Sequence, residues 1–65
     1  MQVDAKELRR VMAAKGFTIA ALAREAGITT VTINNLLNHS NKARIDTVGR
    51  LAKALECDIY AIAKD

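Results

Sequence analysis

The stretch from Thr18 to Asn38 constrains the fold more than any other part of the sequence. Its apolar residues at positions 19, 22, 23 and 26 recur every three or four residues, which predicts one buried face of a helix. Gly27 interrupts this pattern, and glycine readily adopts the left-handed backbone conformation that ends many helices. Thr29 can then cap a second helix with Ile33 on its inward face. The stretch therefore predicts two short helices that meet at a tight corner.

The sizes of three residues indicate how closely these two helices cross. Ala23 lets the helices approach, Gly27 makes the corner, and Ile33 fills the angle between them. Two short helices joined by a three- or four-residue turn that contains glycine form a helix-turn-helix unit. We therefore predict an all-α chain with a helix-turn-helix at residues 18–38.

The outward face of the second predicted helix, residues 29–38, carries the main functional signal. With about 100° per residue and Ile33 pointing inward, a set of short uncharged side chains faces outward or lies at the helix tip: Thr30, Val31, Asn34, Asn35 and Asn38. A solvated helix face normally carries Lys, Glu and Arg instead. Asparagine can bond bidentately to adenine, and a Val or Thr methyl can lie against the thymine methyl. This face predicts reading of DNA base edges, and an ordinary polar surface is the alternative interpretation.

Charge supports the same interpretation through its distribution rather than its total. The formal net charge is only +3. However, no acidic residue lies between Ile28 and Ile45, whereas His39, Lys42 and Arg44 fall there. A polyanion on this segment would meet no repulsion. Because Lys42 and Arg44 follow the predicted helix 29–38, we expect them to contact phosphates. Such contacts fix the register of the protein on DNA without reading its sequence.

The composition excludes several other classes of protein. The 65 residues make a single domain, 1–65, with room for one small core and one binding surface. No apolar run approaches the roughly 18 residues of a membrane span, and the N-terminus lacks a signal-peptide pattern. One cysteine, Cys57, and one histidine, His39, provide no internal disulfide and no metal-ligand set. We therefore expect a cytoplasmic protein without a cofactor or metal.

The flanking segments predict further short helices. Asp4 can cap a first helix that runs to Lys15, and its basic residues form a solvated face, although Arg9 or Arg10 could contact a phosphate. A fourth helix is predicted over 45–56, capped by Asp46 or Thr47.

Two residues near the end of the chain extend this prediction. Gly49, inside the fourth helix, suggests a close helix contact because glycine otherwise weakens a helix. Asp58 can cap a short last helix in which Ile59 and Ile62 are apolar.

With these residues in place, the chain resembles the phage repressor and Cro type of helix-turn-helix domain, the XRE family. The resemblance rests on three segments at family spacing: L22-A23-x-x-A26-G27-I28, T32-I33-x-x-L36 and L51-A52-K53-A54-L55. It implies a compact five-helix, lambda-repressor-like fold with helix 29–38 in the major groove. By position it implies two sets of contacts. The base-reading residues would be Thr30, Val31, Thr32 and Asn35, with Asn34 beside them. The phosphate-contacting residues would be Thr18, Asn38, Lys42 and Arg44.

The chain departs from that family pattern in two places. Many members pair an Arg of the first helix with a Glu late in the third, whereas this sequence has Met12 and Leu37 at those positions. We expect an apolar contact to replace the ion pair without loss of the fold. The reading face also lacks Gln, Arg and Lys, which removes the usual arginine-to-guanine contact. We therefore expect an A·T-rich half-site.

The leading functional prediction is a DNA-binding transcriptional regulator, bacterial or phage-encoded and associated with the nucleoid. The resemblance alone favours a repressor, and the small domain favours a homodimer on double-stranded DNA. The alternative is an antitoxin or accessory subunit of the same fold whose main partner is a protein. An enzyme is not expected, because the carboxylates are scattered and no nucleophile has a base beside it.

Overall fold

The computed structural model describes residues 1–64, which fold into four α-helices and one turn of 3-10 helix. The elements are α1 (Ala5–Lys15), α2 (Ile19–Ala26), α3 (Thr30–Asn38), α4 (Ile45–Leu55) and the 3-10 turn (Ile59–Ala61). Within residues 1–64, extended pairing is limited to two isolated bridges. The predicted all-α class is confirmed.

Capping residues explain where the first three helices begin and end. Asp4, Thr18 and Thr29 each accept hydrogen bonds from backbone N–H groups of the following turn. Gly16 and Gly27 end α1 and α2 with φ of 75° and 71°. Because the sequence carries these signals at both ends, the predicted bounds of α1 and of the helix-turn-helix agree with the structure within one residue.

One hydrophobic core joins all the elements. Each contributes or adjoins a fully buried side chain: Leu8 in α1, Leu22 in α2, Ile33 in α3, Leu51 in α4 and Ile62 after the 3-10 turn. Among residues 1–64, no polar or charged side chain is buried. Burial of apolar surface therefore stabilises this fold, with polar groups kept at its surface.

Met12 and Leu37 lie where the family resemblance leads one to expect a buried ion pair. Both side chains are buried in the common core, and both border one shallow groove with Phe17 and Ile19. This arrangement agrees with the predicted apolar contact between α1 and α3.

The cap of α4 differs from the prediction, although the helix begins at Ile45 as predicted. Arg44 is its N-cap and makes no side-chain capping bond, and the helix begins at Ile45. Asp46 and Thr47 therefore lie inside the first turn, so their prediction as caps was wrong. The close contact predicted at Gly49 is also wrong, since a Cβ built there would meet nothing within 4 Å.

The predicted fifth helix is a single 3-10 turn rather than an α-helix. Asp58 does cap it, by accepting a hydrogen bond of 2.8 Å from the Tyr60 backbone N–H. The chain then leaves the helical conformation at Ile62, because Ala63 pairs with Val3 in an antiparallel bridge. This pairing stops the helix after three residues and corrects the five-helix prediction to four α-helices within residues 1–64.

The first residues of the chain pair with two distant segments, which the sequence did not predict. On one side the Val3 N–H donates to the Asn41 carbonyl at 2.7 Å, and the Ala43 N–H donates to the Met1 carbonyl at 2.9 Å. On the other side the Asp4 N–H donates to the Ile62 carbonyl at 2.7 Å. The side chain of Val3 is fully buried. Residues 1–4 thus hold the loop after α3 against the end of the chain.

Candidate nucleic-acid interface

The corner between α2 and α3 is fixed by backbone geometry and by one arginine of α4. Gly27 is in the left-handed conformation, and the Ile28 N–H donates to the Ala23 carbonyl at 3.0 Å. Arg50 Nη1 donates to the Gly27 carbonyl at 3.4 Å from the neighbouring helix. Ala23 and Ile33 are both buried at this corner, as predicted. The two helices therefore cross tightly, and the outward face of α3 is displayed.

The N-terminus of α3 is capped by a pair of threonines. Thr29 Oγ1 accepts from the Thr32 N–H at 3.2 Å, and the two hydroxyl groups lie 3.0 Å apart in a hydrogen bond. Thr32 is half-buried and bonded to the cap, whereas Thr30 and Val31 are exposed, with Val31 64% accessible. Thr30 and Val31 can enter a groove freely, while Thr32 offers mainly its methyl group.

The three asparagines of α3 are not equivalent. Asn34 Nδ2 donates to the Thr30 carbonyl and Asn38 Nδ2 donates to the Asn34 carbonyl, each at 3.2 Å. These two amides fold back along their own helix. Asn35 is exposed, and its side chain makes no hydrogen bond within the part of the chain that the structure describes. Asn35 is therefore the asparagine whose donor and acceptor are both available for a base edge.

One groove lies between α3 and the start of α4, and it collects several of the predicted residues. Thr32 and Asn35 border it from α3, and Lys42 and Arg44 border it from the loop. Lys42 is exposed, and Arg44 makes only an exposed ion pair, with Asp46 at 3.2 Å. Such a pair contributes little. Both cations can therefore turn towards a polyanion beside the reading face.

Two other predicted phosphate contacts lie outside this groove. Thr18 caps α2, where its Oγ1 accepts from the Ala21 N–H at 3.1 Å, and its hydroxyl proton remains available. Asn38 lies at the end of α3, where its Oδ1 accepts from Arg9 at 2.7 Å. Sequence reasoning missed the roles of Arg9 and Arg50, because a contact between distant helices leaves no local signal.

The single cysteine offers little chemistry. Burial raises the pKa of the Cys57 thiol, and the nearby positive charge of Lys15 only partly opposes that effect. A raised pKa leaves less thiolate and so a weaker nucleophile. Within residues 1–64, no cluster of three His, Cys, Asp or Glu side chains could hold a metal ion. In the same residues, no helix has the length and apolar character needed to cross a membrane.

A family model described as a Cro/C1-type helix-turn-helix DNA-binding domain matches residues 7–63, nearly all of the chain. The comparison with curated protein sequences found no match. The matched range includes α2, α3, the loop after α3 and all of α4, and it leaves out the pairing segment at residues 1–4.

Solved structures of several proteins contain the same fold. A mutant of hydroxyethylphosphonate dioxygenase matches with a TM-score of 0.87 and 28% identity, covering 100% of this chain but 14% of that one. The restriction-modification controller protein C.AhdI from Aeromonas hydrophila matches with a TM-score of 0.81 and 21% identity, covering 88% and 86%. An HTH_3 family transcriptional regulator from Vibrio cholerae matches with a TM-score of 0.80 and 21% identity, covering 88% and 32%.

Proposed function

The chain belongs to the family of Cro/C1-type helix-turn-helix DNA-binding domains, and from that premise we propose that it acts as a sequence-specific transcriptional regulator. In this proposal α3 enters the major groove, α2 lies across the DNA backbone, and the protein represses by occupying an operator. It would do so as a homodimer on two half-sites about 34 Å apart, in the cytoplasm of a bacterium and at its nucleoid.

The observation that carries the proposal is the position of Asn35. Its uncommitted amide faces outward on a helix whose exposed side has no charge, next to the groove bordered by Lys42 and Arg44. An amide that reads adenine, beside cations that hold phosphates, is the arrangement that base reading requires. Val31 adds an exposed apolar surface suited to the thymine methyl. We therefore propose an A·T-rich half-site.

The experiment is selection from a random duplex pool, followed by binding of the selected duplex to two variants. Asn35→Ala should cost about 1–3 kcal/mol and relax the base preference at one position of each half-site. Asn34→Ala is the matched control and should cost less, because that amide bonds its own helix. Selected sites rich in G·C beneath α3 would contradict the A·T proposal. Weak binding at every salt concentration, with no enriched sequence, would contradict DNA recognition itself.

A protein-binding role is the second candidate, and two exposed apolar residues favour it. The side chain of Ile45 is 72% exposed and that of Tyr60 is 73% exposed. Large apolar residues at the surface of a small domain can mark a protein contact. An antitoxin or accessory subunit of this fold would cover such residues with its partner. Co-purification of a small toxin in fixed stoichiometry would support this role, whereas a stable homodimer that binds its operator alone would count against it.

We further infer that the domain binds rather than catalyses. It spans 14% of the length of the dioxygenase chain that it resembles, so that enzyme's activity does not transfer with the likeness. The family description and the weakly nucleophilic Cys57 support this inference. Turnover of hydroxyethylphosphonate by the purified chain would contradict it.

A further inference from the structure

The C-terminal end of α3 lacks the features that stabilise the other helix ends. Lys15, Arg24 and Lys53 place a basic residue in the last turn of α1, α2 and α4, but α3 has none. Its C-cap residue, His39, has φ −129° and ψ −88°, so it does not adopt the left-handed conformation found at the other three ends. The last carbonyls of α3, which carry partial negative charge, must find their partner elsewhere.

That partner is Arg9, which reaches across from α1. Its Nη2 donates to the Asn38 side-chain Oδ1 at 2.7 Å and lies 3.4 Å from the Leu37 carbonyl oxygen. The guanidinium therefore supplies the cation and the donor that α3 does not supply for itself. Among the described residues Arg9 forms no ion pair with a carboxylate, since the nearby Glu7 pairs with Arg10.

The contact continues along α3 as a chain of side-chain hydrogen bonds. Asn38 accepts from Arg9 and donates to the Asn34 carbonyl, and Asn34 donates in turn to the Thr30 carbonyl. These bonds follow one edge of the helix from its last residue to its first, about 12 Å at 1.5 Å per residue. Asn35 takes no part in this series of hydrogen bonds and lies on the exposed face of α3 next to it.

We propose that Arg9 is a positioning residue for DNA reading, which acts through Asn38 and makes no phosphate contact of its own. It holds the last turn of α3 and keeps the amides of Asn34 and Asn38 against their helix, so that Asn35 alone presents an open amide. This inference rests on the proposed function, since it assigns a role within the same reading face. Without Arg9, the last turn frays and must be ordered again at each binding event.

Two variants test the proposal in the full chain. Arg9→Gln removes the contact, and Arg10→Gln is the control, because it removes the same charge from the adjacent position, where Arg10 pairs only with Glu7 at 2.6 Å. Arg9→Gln should weaken binding to the selected duplex about three- to tenfold, and Arg10→Gln by less than about twofold. The slope of log affinity against log salt should be unchanged in Arg9→Gln.

A double-mutant cycle separates positioning from direct contact. If Arg9 acts through Asn38, most of the effect of Arg9→Gln on affinity disappears once Asn38→Ala is present, and the remainder, from the contact with the Leu37 carbonyl, leaves the salt slope unchanged. An Arg9→Gln effect that persists in that background, with a slope smaller by about 0.9, identifies a phosphate contact and overturns the proposal. Equal affinities for Arg9→Gln and wild type overturn it as well.

One readout needs no DNA, and it keeps this proposal separate from the proposed function. The His39 backbone N–H donates to the Asn35 carbonyl at 2.9 Å in the last turn of α3. Its hydrogen exchange should accelerate in Arg9→Gln and remain at the wild-type rate in Arg10→Gln. Unchanged exchange in Arg9→Gln contradicts the positioning role even if the protein binds no duplex. If exchange is faster in Arg9→Gln but the protein binds no duplex, Arg9 still holds the last turn of α3, and its proposed role in DNA reading is contradicted.

Discussion

At the scale of single residues, the left-handed helix ends show what sequence can and cannot predict. Gly27 was expected to end its helix and does so, and Gly16 ends α1 in the same conformation. Glu56 ends α4 in the same conformation, with φ 54°. Glutamate gives no sequence signal for that conformation, because its side chain disfavours it by roughly 1–2 kcal/mol. In this conformation the Glu56 N–H donates to the Lys53 carbonyl at 3.1 Å and the Cys57 N–H donates to the Ala52 carbonyl at 3.0 Å, and only the structure reveals these bonds.

This conformation predicts that Glu56→Gly stabilises the protein. Glycine removes the strain and also takes an acidic group from the negative end of α4, while it gives the unfolded chain more freedom. The net gain should be about 0.5–1 kcal/mol in the free energy of unfolding, measured by urea denaturation. Glu56→Ala is the control for charge and should gain less. Gly16→Ala should lose about 1 kcal/mol, since its backbone has φ 75°. Equal stability of wild type and Glu56→Gly would refute the argument.

Among the asparagines, the sequence placed all three on the outward side of α3 but could not rank them. Their hydrogen bonds separate Asn35 from Asn34 and Asn38. Whether an amide turns back to the carbonyl four residues earlier depends on rotamers and on neighbours such as Arg9. Helical periodicity carries no information about either.

At the scale of elements, α3 was predictable because its cap, its turn and its inward residues agree with one another. The start of α4 at Ile45 was also predicted, but its cap was not, because Asp46 and Thr47 are good capping residues that lie two and three residues after the actual N-cap, Arg44. Arg44 directly follows the loop 41–43, which pairs with the first residues of the chain in a long-range interaction. A local capping signal in the sequence therefore predicts the capping residue of α3 but not that of α4.

Substitutions of Thr29, the cap of α3, separate the effect of the cap on protein stability from the effect of charge on DNA binding. Thr29→Ala should lower the free energy of unfolding by about 1 kcal/mol, because the N–H of Thr32 loses its acceptor. Thr29→Asp should retain stability, since aspartate is an equally good cap and suits the helix N-terminus. It nevertheless places a negative charge in the acid-free segment, and duplex affinity should fall by on the order of tenfold at low salt. Thermal unfolding and duplex titration of both variants provide the measurement. A Thr29→Asp protein that binds as tightly as wild type would contradict the placement of α3 against DNA.

At the scale of the whole molecule, the ends of the chain close the fold. Residues 1–4 pair with the loop 41–43 and with Ile62, so one short segment joins two distant parts of the chain. Its residues gave no strand pattern, since a bridge of two or three residues is too short to show alternation. This feature could not have been predicted from periodicity.

The pairing of residues 1–4 with the rest of the fold predicts a large loss of stability on substitution of Val3, a residue that looks unimportant in the sequence. Val3→Ala should lower the free energy of unfolding by about 1–2 kcal/mol, because Val3 is fully buried and its truncation leaves a void. Val31→Ala removes the same two methyl groups from an exposed position and should change stability by less than about 0.5 kcal/mol. Denaturant unfolding of the two variants, followed by circular dichroism, makes the comparison. Similar losses in both would place Val3 outside the core.

The positive charge of the whole domain attracts DNA at long range, and this attraction can be distinguished from a direct phosphate contact of one lysine. Lys42→Ala should weaken binding to every duplex by a similar factor and reduce the slope of log affinity against log salt by about 0.9, because one phosphate contact is lost. Lys53→Ala removes the same charge from the groove between α2 and α4, away from the reading face. Its slope should equal that of wild type, although its affinity can fall slightly through the weaker overall field. A salt series with selected and scrambled duplexes provides both values. If the two variants had equal slopes, Lys42 would act only through long-range attraction, and the loop after α3 would lose its assigned role in docking.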